Sequence, residues 1–173
     1  MGKEIIIEDY NSNWPSQFEE EKEKLQEILA DKTIAIEHIG STAVEGLGAK
    51  PILDIAIGVN DLNVVSEFVE LLEPMGYEFV YHKSFPERRF FRKGQWGAGT
   101  HHLHFYLFEG EHWNNQLLFR NYLSTHPEVL IEYHQLKIEL ANTFRFDRAS
   151  YTENKADFIQ EVLRQAMKEG SKI

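Results

Sequence analysis

The amino-acid sequence predicts an α+β fold: a mixed β-sheet backed by helices, with a helical layer formed by the C-terminal part of the chain. Three observations carry that expectation. Short β-rich runs are concentrated before residue 110, apolar residues recur at helical spacing from Trp113 onward, and residues 51–59 are apolar almost throughout, as in a strand covered on both faces. The 173 residues show no internal repeat, low-complexity tract or Gly/Pro/Ser-rich linker, so residues 1–173 read as a single domain.

Ile5-Ile6-Ile7 reads as a short first strand. Asn13-Trp14-Pro15 marks a helix start, with Asn13 as cap and Pro15 in the first turn, where a missing N–H costs nothing. Trp14, Phe18, Leu25, Ile28 and Leu29 form the apolar stripe of that helix, which ends near Ala30. Residues 33–39 alternate and are rich in β-formers, hence a strand, and residues 51–59 supply the buried one. Asp61 can cap a helix through Leu62, Val65, Phe68 and Leu72, stopped by Pro74 and Gly76. Residues 77–81, 89–93 and 102–108 read as further strands, the last two joined by the glycine-rich turn 94–100. Residues 113–123 form a helix, and His126-Pro127 opens another through Tyr133 and Leu140. Ser150-Tyr151-Thr152-Glu153 has the pattern of a capping box that starts the last one.

Composition narrows the function. The chain has 18 Lys+Arg against 28 Asp+Glu, a formal net charge of −10, which argues against gripping nucleic acid by its phosphate backbone but leaves room for a local basic pocket. No apolar run approaches the roughly 20 residues of a membrane-spanning helix, and the first residues lack a secretory-signal pattern. The absence of cysteine excludes disulfides, thiolate nucleophiles and Cys-ligated zinc; a cytoplasmic location is the expectation.

Chemistry-bearing residues cluster in four places. In Glu37-His38-Ile39-Gly40-Ser41-Thr42, a strand runs into a turn where glycine lets a phosphate approach the backbone and Ser41 offers a hydroxyl; a plain capped turn has the same pattern. Asp54 lies in the middle of the apolar strand, where a carboxylate must be paired, hydrogen-bonded or metal-bound, with Lys50 as a structural alternative for its partner. In His101-His102-Leu103-His104, a strand puts His102 and His104 on one face about 7 Å apart, able to hold a divalent cation or to act as base and phosphate donor, or simply to sit half-buried and hydrogen-bonded. Finally, Arg88, Arg89, Arg92 and Lys93 cluster in an acidic chain, Arg120 follows, and Tyr133/Lys137 and Tyr151/Lys155 each share a helix face. These aromatic–lysine pairs suit a phosphate-binding wall or a solvated face with lysine stems lying on rings. His38, His82, His112, His126 and His134 are scattered and read as turn, cap or surface residues.

These motifs, from Glu37-His38-Ile39-Gly40-Ser41-Thr42-Ala43-Val44 through Lys50-Pro51-Ile52-Leu53-Asp54, His102-Leu103-His104, Phe119-Arg120, His126-Pro127-Glu128 and Tyr133 to Tyr151-Thr152 with Lys155, resemble the GrpB family. That family is similar to the nucleotidyltransferase superfamily with its polymerase-β-like fold, in which a Gly-Ser turn precedes a strand bearing two carboxylates two residues apart. The resemblance implies a sheet of the nucleotidyltransferase type and a metal-dependent transferase that binds a nucleotide or another phosphorylated small molecule. A catalytically degenerate binding module and a metal-dependent phosphate-ester hydrolase are the alternatives. It further implies that Asp54 and Glu37 serve catalysis and that Asp54, His102 and His104 hold the metal. Gly40, Ser41, Thr42, Lys50, Arg120, Tyr133, Lys137, Tyr151 and Lys155 would receive phosphate. One departure stands out. The strand reads Asp54-Ile55-Ala56, so the second carboxylate is missing; replacement by Glu37 or an imidazole weakens a Mg²⁺ site and suits Mn²⁺ or Zn²⁺ better.

Overall fold

Alternation along two adjacent strands decides where the site can lie. The structure, a computed structural model, describes residues 2–95 and 97–173. Its strands are β1 (Ala35–Ile39), β2 (Leu53–Val59), β3 (Tyr77–Val80), β4 (Arg89–Lys93) and β5 (His101–Leu107). They form one sheet in the order β1-β2-β5-β4-β3, with β2 and β5 parallel and the other neighbours antiparallel. The expected mixed sheet is therefore present, in an α+β arrangement. β5 begins one residue earlier than expected, and Trp96, within the expected 94–100 turn, lies outside the described residues, as does Met1.

One sheet face is apolar. Ile55, Ile57 and Val59 of β2, Leu103 and Phe105 of β5 and Phe91 of β4 pack against Phe18, Leu25 and Leu29 of α1 (Trp14–Leu29) and Phe68 and Leu72 of α2 (Phe68–Leu72). Each such fully buried side chain contributes about 1.5–3 kcal/mol, so this layer anchors the fold. It also encloses Glu21 of α1, only 4% exposed, which accepts hydrogen bonds from the Tyr77 hydroxyl at 2.7 Å and the Lys93 ammonium at 2.6 Å. Burial alone would raise the Glu21 carboxyl; the bonds from Lys93 and Tyr77 hold it below the usual range.

The opposite face carries Asp54 and Ala56 of β2 and His102, His104 and Tyr106 of β5. It is covered in part by α3 (Glu111–Thr125), whose Trp113 and Leu117 pack on Ile39, Ala56 and Tyr106. α4 (Pro127–Thr143) and α5 (Arg148–Lys168) complete the C-terminal helical layer, closing over Val44 and Leu47 through Tyr133 and Phe158. Among the described residues no helix is long and apolar enough to cross a membrane.

Several local expectations change. Ile5-Ile6-Ile7 forms no strand; among the described residues the one β-bridge nearby joins Glu8 and Ala49, while Ile5 donates its N–H to Arg145 O at 2.8 Å and packs beside Ala141 and Tyr151. With no neighbouring strand to satisfy its ladder, an apolar tripeptide serves as a hydrophobic anchor. Asn13 already has helical backbone angles and makes no side-chain cap; Asn11 Oδ1 accepts from the Asn13 N–H at 2.9 Å in its place. Asp61 caps as expected, through Asn63 N–H at 2.9 Å, but it opens a 3-10 stretch, Leu62–Glu67, before α2. Ser150 does not open the last helix. Asp147 does, accepting from the Ser150 N–H at 3.1 Å and hydroxyl at 2.6 Å.

Candidate functional site

β1 ends at Ile39, opposite Asp54 in the β1–β2 register, and the chain then turns sharply at Gly40, with φ 71° and ψ −171°. A Cβ at that position would lie 2.8 Å from Asp54 Oδ2 and 3.1 Å from Asp54 Cβ. The turn and the carboxylate are therefore packed directly against each other, and only glycine fits between them. Ser41 follows in a short 3-10 turn (Ser41–Ala43) and accepts a hydrogen bond from Lys137 Nζ at 2.9 Å.

From the other side, the parallel pairing of β2 with β5 sets Asp54 beside His102 and Ala56 beside His104. His104 Nε2 lies 2.8 Å from Asp54 Oδ1 and His102 Nδ1 3.4 Å from the same oxygen. The Asp54 side chain remains 29% exposed, so this cluster opens to the cleft. Burial acts to raise the Asp54 carboxyl, but hydrogen bonds from His102 and His104 prevail and hold it well below the usual carboxylate range. Burial likewise lowers His104, against the pull of Asp54.

His104 has a second neighbour. Arg88 donates from Nη1 to His104 Nδ1 at 3.3 Å and from Nη2 to His82 Nδ1 at 2.6 Å, while its guanidinium lies 4.8 Å from the ring centres of both Phe85 and Phe90. Because a guanidinium only donates, Nδ1 of His104 accepts, and the proton sits on Nε2, directed at Asp54.

A group of lysines flanks the acid on its other side. Lys137 is 2% exposed and donates to Ser41 Oγ and to Gly48 O. Lys50 and Lys155 both lie over the Tyr151 ring, at 5.1 and 4.6 Å from its centre. Burial, reinforced by neighbouring lysines, lowers Lys137 to about 7 and Lys155 to about 8. Burial also lowers Lys50, with Arg148 adding to the effect. Among the described residues, none of the three ammoniums has a carboxylate at ion-pair distance.

Three cavities meet at Asp54, His102 and His104. The largest in this region, about 320 Å³, runs from Gly40, Ser41 and Asp54 to Tyr106, Phe119 and Tyr133. A smaller one of about 90 Å³ is lined by Ser41, Lys50, Asp54, Lys137, Tyr151 and Lys155. The third, about 230 Å³, lies beyond His102 and His104. The structure thus brings together Gly40, Ser41, Lys50, Asp54, His102, His104, Tyr133, Lys137, Tyr151 and Lys155. Thr42 borders the small cavity, but its hydroxyl is engaged with His38 Nε2 at 2.8 Å. Glu37 and Arg120 pair with each other at 2.8 Å, and Arg120 also donates to His38 O, so this couple ties α3 to β1. Asp54 forms no ion pair with Lys50 among the described residues; both imidazoles meet it, at Oδ1.

One expectation about histidines needs correction. His38 is buried, stacked on Phe18 at 4.8 Å and lowered to about 4 mainly by burial, rather than lying at the surface. His82, which opens a turn, and His112 are both half-buried and line the cavities. Tyr106 was legible in principle, since the period of two that pairs His102 with His104 continues to it. Arg88 and His82 lie in the aperiodic segment between β3 and β4, which carries no such signal.

The ligand atoms of Asp54, His102 and His104 all lie within 4.8 Å of one another. One carboxylate and two imidazoles suit a first-row divalent ion such as Mn²⁺ or Zn²⁺. The set fits, with one condition: ligation through His104 Nε2 needs the proton on Nδ1, and hence Arg88 turned aside.

The family model for GrpB protein matches residues 4–165 of the chain. The chain belongs to the GrpB family. Within that family it is 36% identical to the glutamate-rich protein GrpB of Alkalihalophilus pseudofirmus, over 94% of this chain and 95% of that one. It is 38% identical to YqkA of Bacillus subtilis over 91% of this chain, which spans 45% of YqkA. The crystal structure of conserved protein GrpB from Enterococcus faecalis superposes with a TM-score of 0.87 at 36% identity, covering 95% of this chain and 98% of that one. More distantly, a Cid1 poly(U) polymerase superposes with a TM-score of 0.53 at 14% identity, over 79% of this chain and 44% of that one. That likeness shows the fold alone: this GrpB-family chain shares the distant nucleotidyltransferase sheet architecture.

Proposed function

We propose that the cleft binds a nucleotide, or another small molecule carrying phosphates, together with a divalent cation, and that it serves nucleotidyl transfer. The observation that carries this reading is the lysine group. Lys50, Lys137 and Lys155 are largely withdrawn from water around a cavity of about 90 Å³, beside Asp54, with no carboxylate in contact among the described residues. Buried ammoniums left unpaired are costly, and a phosphate chain would compensate all three. Gly40 leaves room for close approach of an oxyanion to the backbone, and Ser41, held by Lys137, offers its hydroxyl at the same place.

The adjoining cavity of about 320 Å³ suits a nucleoside: aromatic walls from Phe119 and Tyr133 for the ring and side-chain amides from Asn115, Gln116 and Gln160 for polar edges. Asp54, His102 and His104 would hold the cation, which when bound neutralises phosphate charge and polarises the transferred phosphorus. The distant fold neighbour Cid1 is described as bound to MgATP, in keeping with this reading.

One feature favours a second reading, a binding module without turnover. Ala56 stands where the superfamily places its second carboxylate; opposite it on β1 is Glu37, committed to Arg120, and on β5 is His104. Isothermal titration with ATP, GTP, CTP and UTP, each with Mg²⁺ or Mn²⁺, tests the shared premise: at least one should bind, and no binding at millimolar concentration rejects both readings. Screening for pyrophosphate release over varied hydroxyl and amine acceptors then separates them, since release eliminates the module.

A further inference from the structure

The cavity of about 230 Å³ on the far side of His102 and His104 has a composition that neither the nucleotide nor the cation explains. Arg88, Arg92 and Arg148 line it, with His82, His102 and His104, and among the described residues no aspartate or glutamate does. This is a dense cationic patch in a chain of net charge −10. Arg92 is paired with Glu78 at 3.0 Å. Arg88 and Arg148 are different. Arg88 touches two imidazoles and two aromatic rings, and Arg148 donates from Nη2 to Gly97 O at 3.0 Å; neither has a carboxylate at ion-pair distance among the described residues. In each, the Nε–H is buried with no hydrogen-bond partner. A buried guanidinium donor is seldom left unmet, and the flat fork of arginine matches an oxyanion. The position also matters: His102 lines both this cavity and the lysine pocket, so a ligand here would sit beside the phosphates across the Asp54 cluster.

We propose that this cavity binds a second small molecule bearing an oxyanion, a phosphate or a carboxylate, set against Arg88 and Arg148. As the partner of a nucleotide it rests on the reading above; as an anion site it stands on its own geometry. The site size suits a compact metabolite.

The test uses the full chain without added nucleotide or metal. The arginine Nε–H signals of Arg88 and Arg148 are followed by NMR during titration with inorganic phosphate and, separately, with malonate. Saturable shifts at millimolar concentration are expected with one or both, and the tighter of the two names the anion class. Arg148→Gln should weaken the effect read at Arg88 by about tenfold or more, and Arg148→Lys, which keeps the charge but loses the fork, by less. Lys155→Met, in the neighbouring pocket, should leave the shifts at both arginines in place. Shifts that vanish in Lys155→Met, or that persist undiminished in Arg148→Gln, overturn the proposal, as does the absence of shifts with both anions. If ATP fails to bind with every metal while the arginine signals still respond, the anion site stands and the nucleotide reading alone falls.

Discussion

Replacing Gly40 with alanine tests whether the turn and Asp54 form one unit. At φ 71° and ψ −171° the backbone occupies a region populated almost only by glycine, and holding another residue there costs about 1–3 kcal/mol. The added Cβ would also meet Asp54 Oδ2 at 2.8 Å and Asp54 Cβ at 3.1 Å, so either the turn or the carboxylate must move. A combined loss of about 3 kcal/mol is expected, equivalent for a chain of this size to a fall of roughly 9 °C in Tm. Gly46→Ala supplies the control: φ is 85°, but no atom lies within 4 Å of the new Cβ, so only the backbone term applies, about 1 kcal/mol. Urea unfolding followed by circular dichroism gives both values, and Mn²⁺ titration reads whether Asp54 has been displaced. If Gly40→Ala costs no more than Gly46→Ala, the claim of direct packing between turn and acid is wrong.

Two further outcomes follow from buried charges. Burial lowers Lys137 to about 7 in the folded chain, against an ordinary value of 10.5, so between those pH values the unfolded chain binds more protons and stability should rise with pH. Lys137→Met should flatten that rise between pH 7 and 10, with Lys155 retaining part of it; urea midpoints at three pH values check this, and an unchanged slope would refute it. On the opposite sheet face, Glu21→Gln removes the charge that faces Lys93 and should cost about 1–3 kcal/mol at pH 7. Since the folded-state Glu21 carboxyl lies below its ordinary value, its contribution is present above the unfolded pKa and is lost as pH falls through the folded one. Parent and variant unfolding curves should therefore converge in acid; curves that stay parallel down to strong acid would disprove the pairing.

The strands were legible because their apolar residues alternate or run unbroken, and that pattern survives folding in β2 and β5. Asp54 and the His102/His104 pair were legible for a related reason: a carboxylate in an apolar strand and two imidazoles at i and i+2 break a pattern that is otherwise regular. What the sequence could not show was adjacency. Nothing local says that β2 and β5, with two other strands between them in the chain, lie side by side and parallel. The same holds for Arg88, which reaches His104 from an irregular segment, and for Arg120, whose partner Glu37 is on a different element. The last helix shows a different failure: Asp147 and Ser150 are both good cap residues three apart, and the helix starts at the earlier, whose carboxylate takes both the N–H and the hydroxyl of Ser150.

The pleat of β5 assigns every second residue to opposite fates. His102, His104 and Tyr106 look into the cleft, while Leu103 and Phe105 are sealed in the apolar layer. Adding or deleting a single residue within that strand would exchange the two sets, thrusting imidazoles into hydrocarbon and hydrocarbon into water. The residues that furnish chemistry therefore also police alignment: selection for either role preserves the other, and length changes should be tolerated in the bend before the strand but not within it.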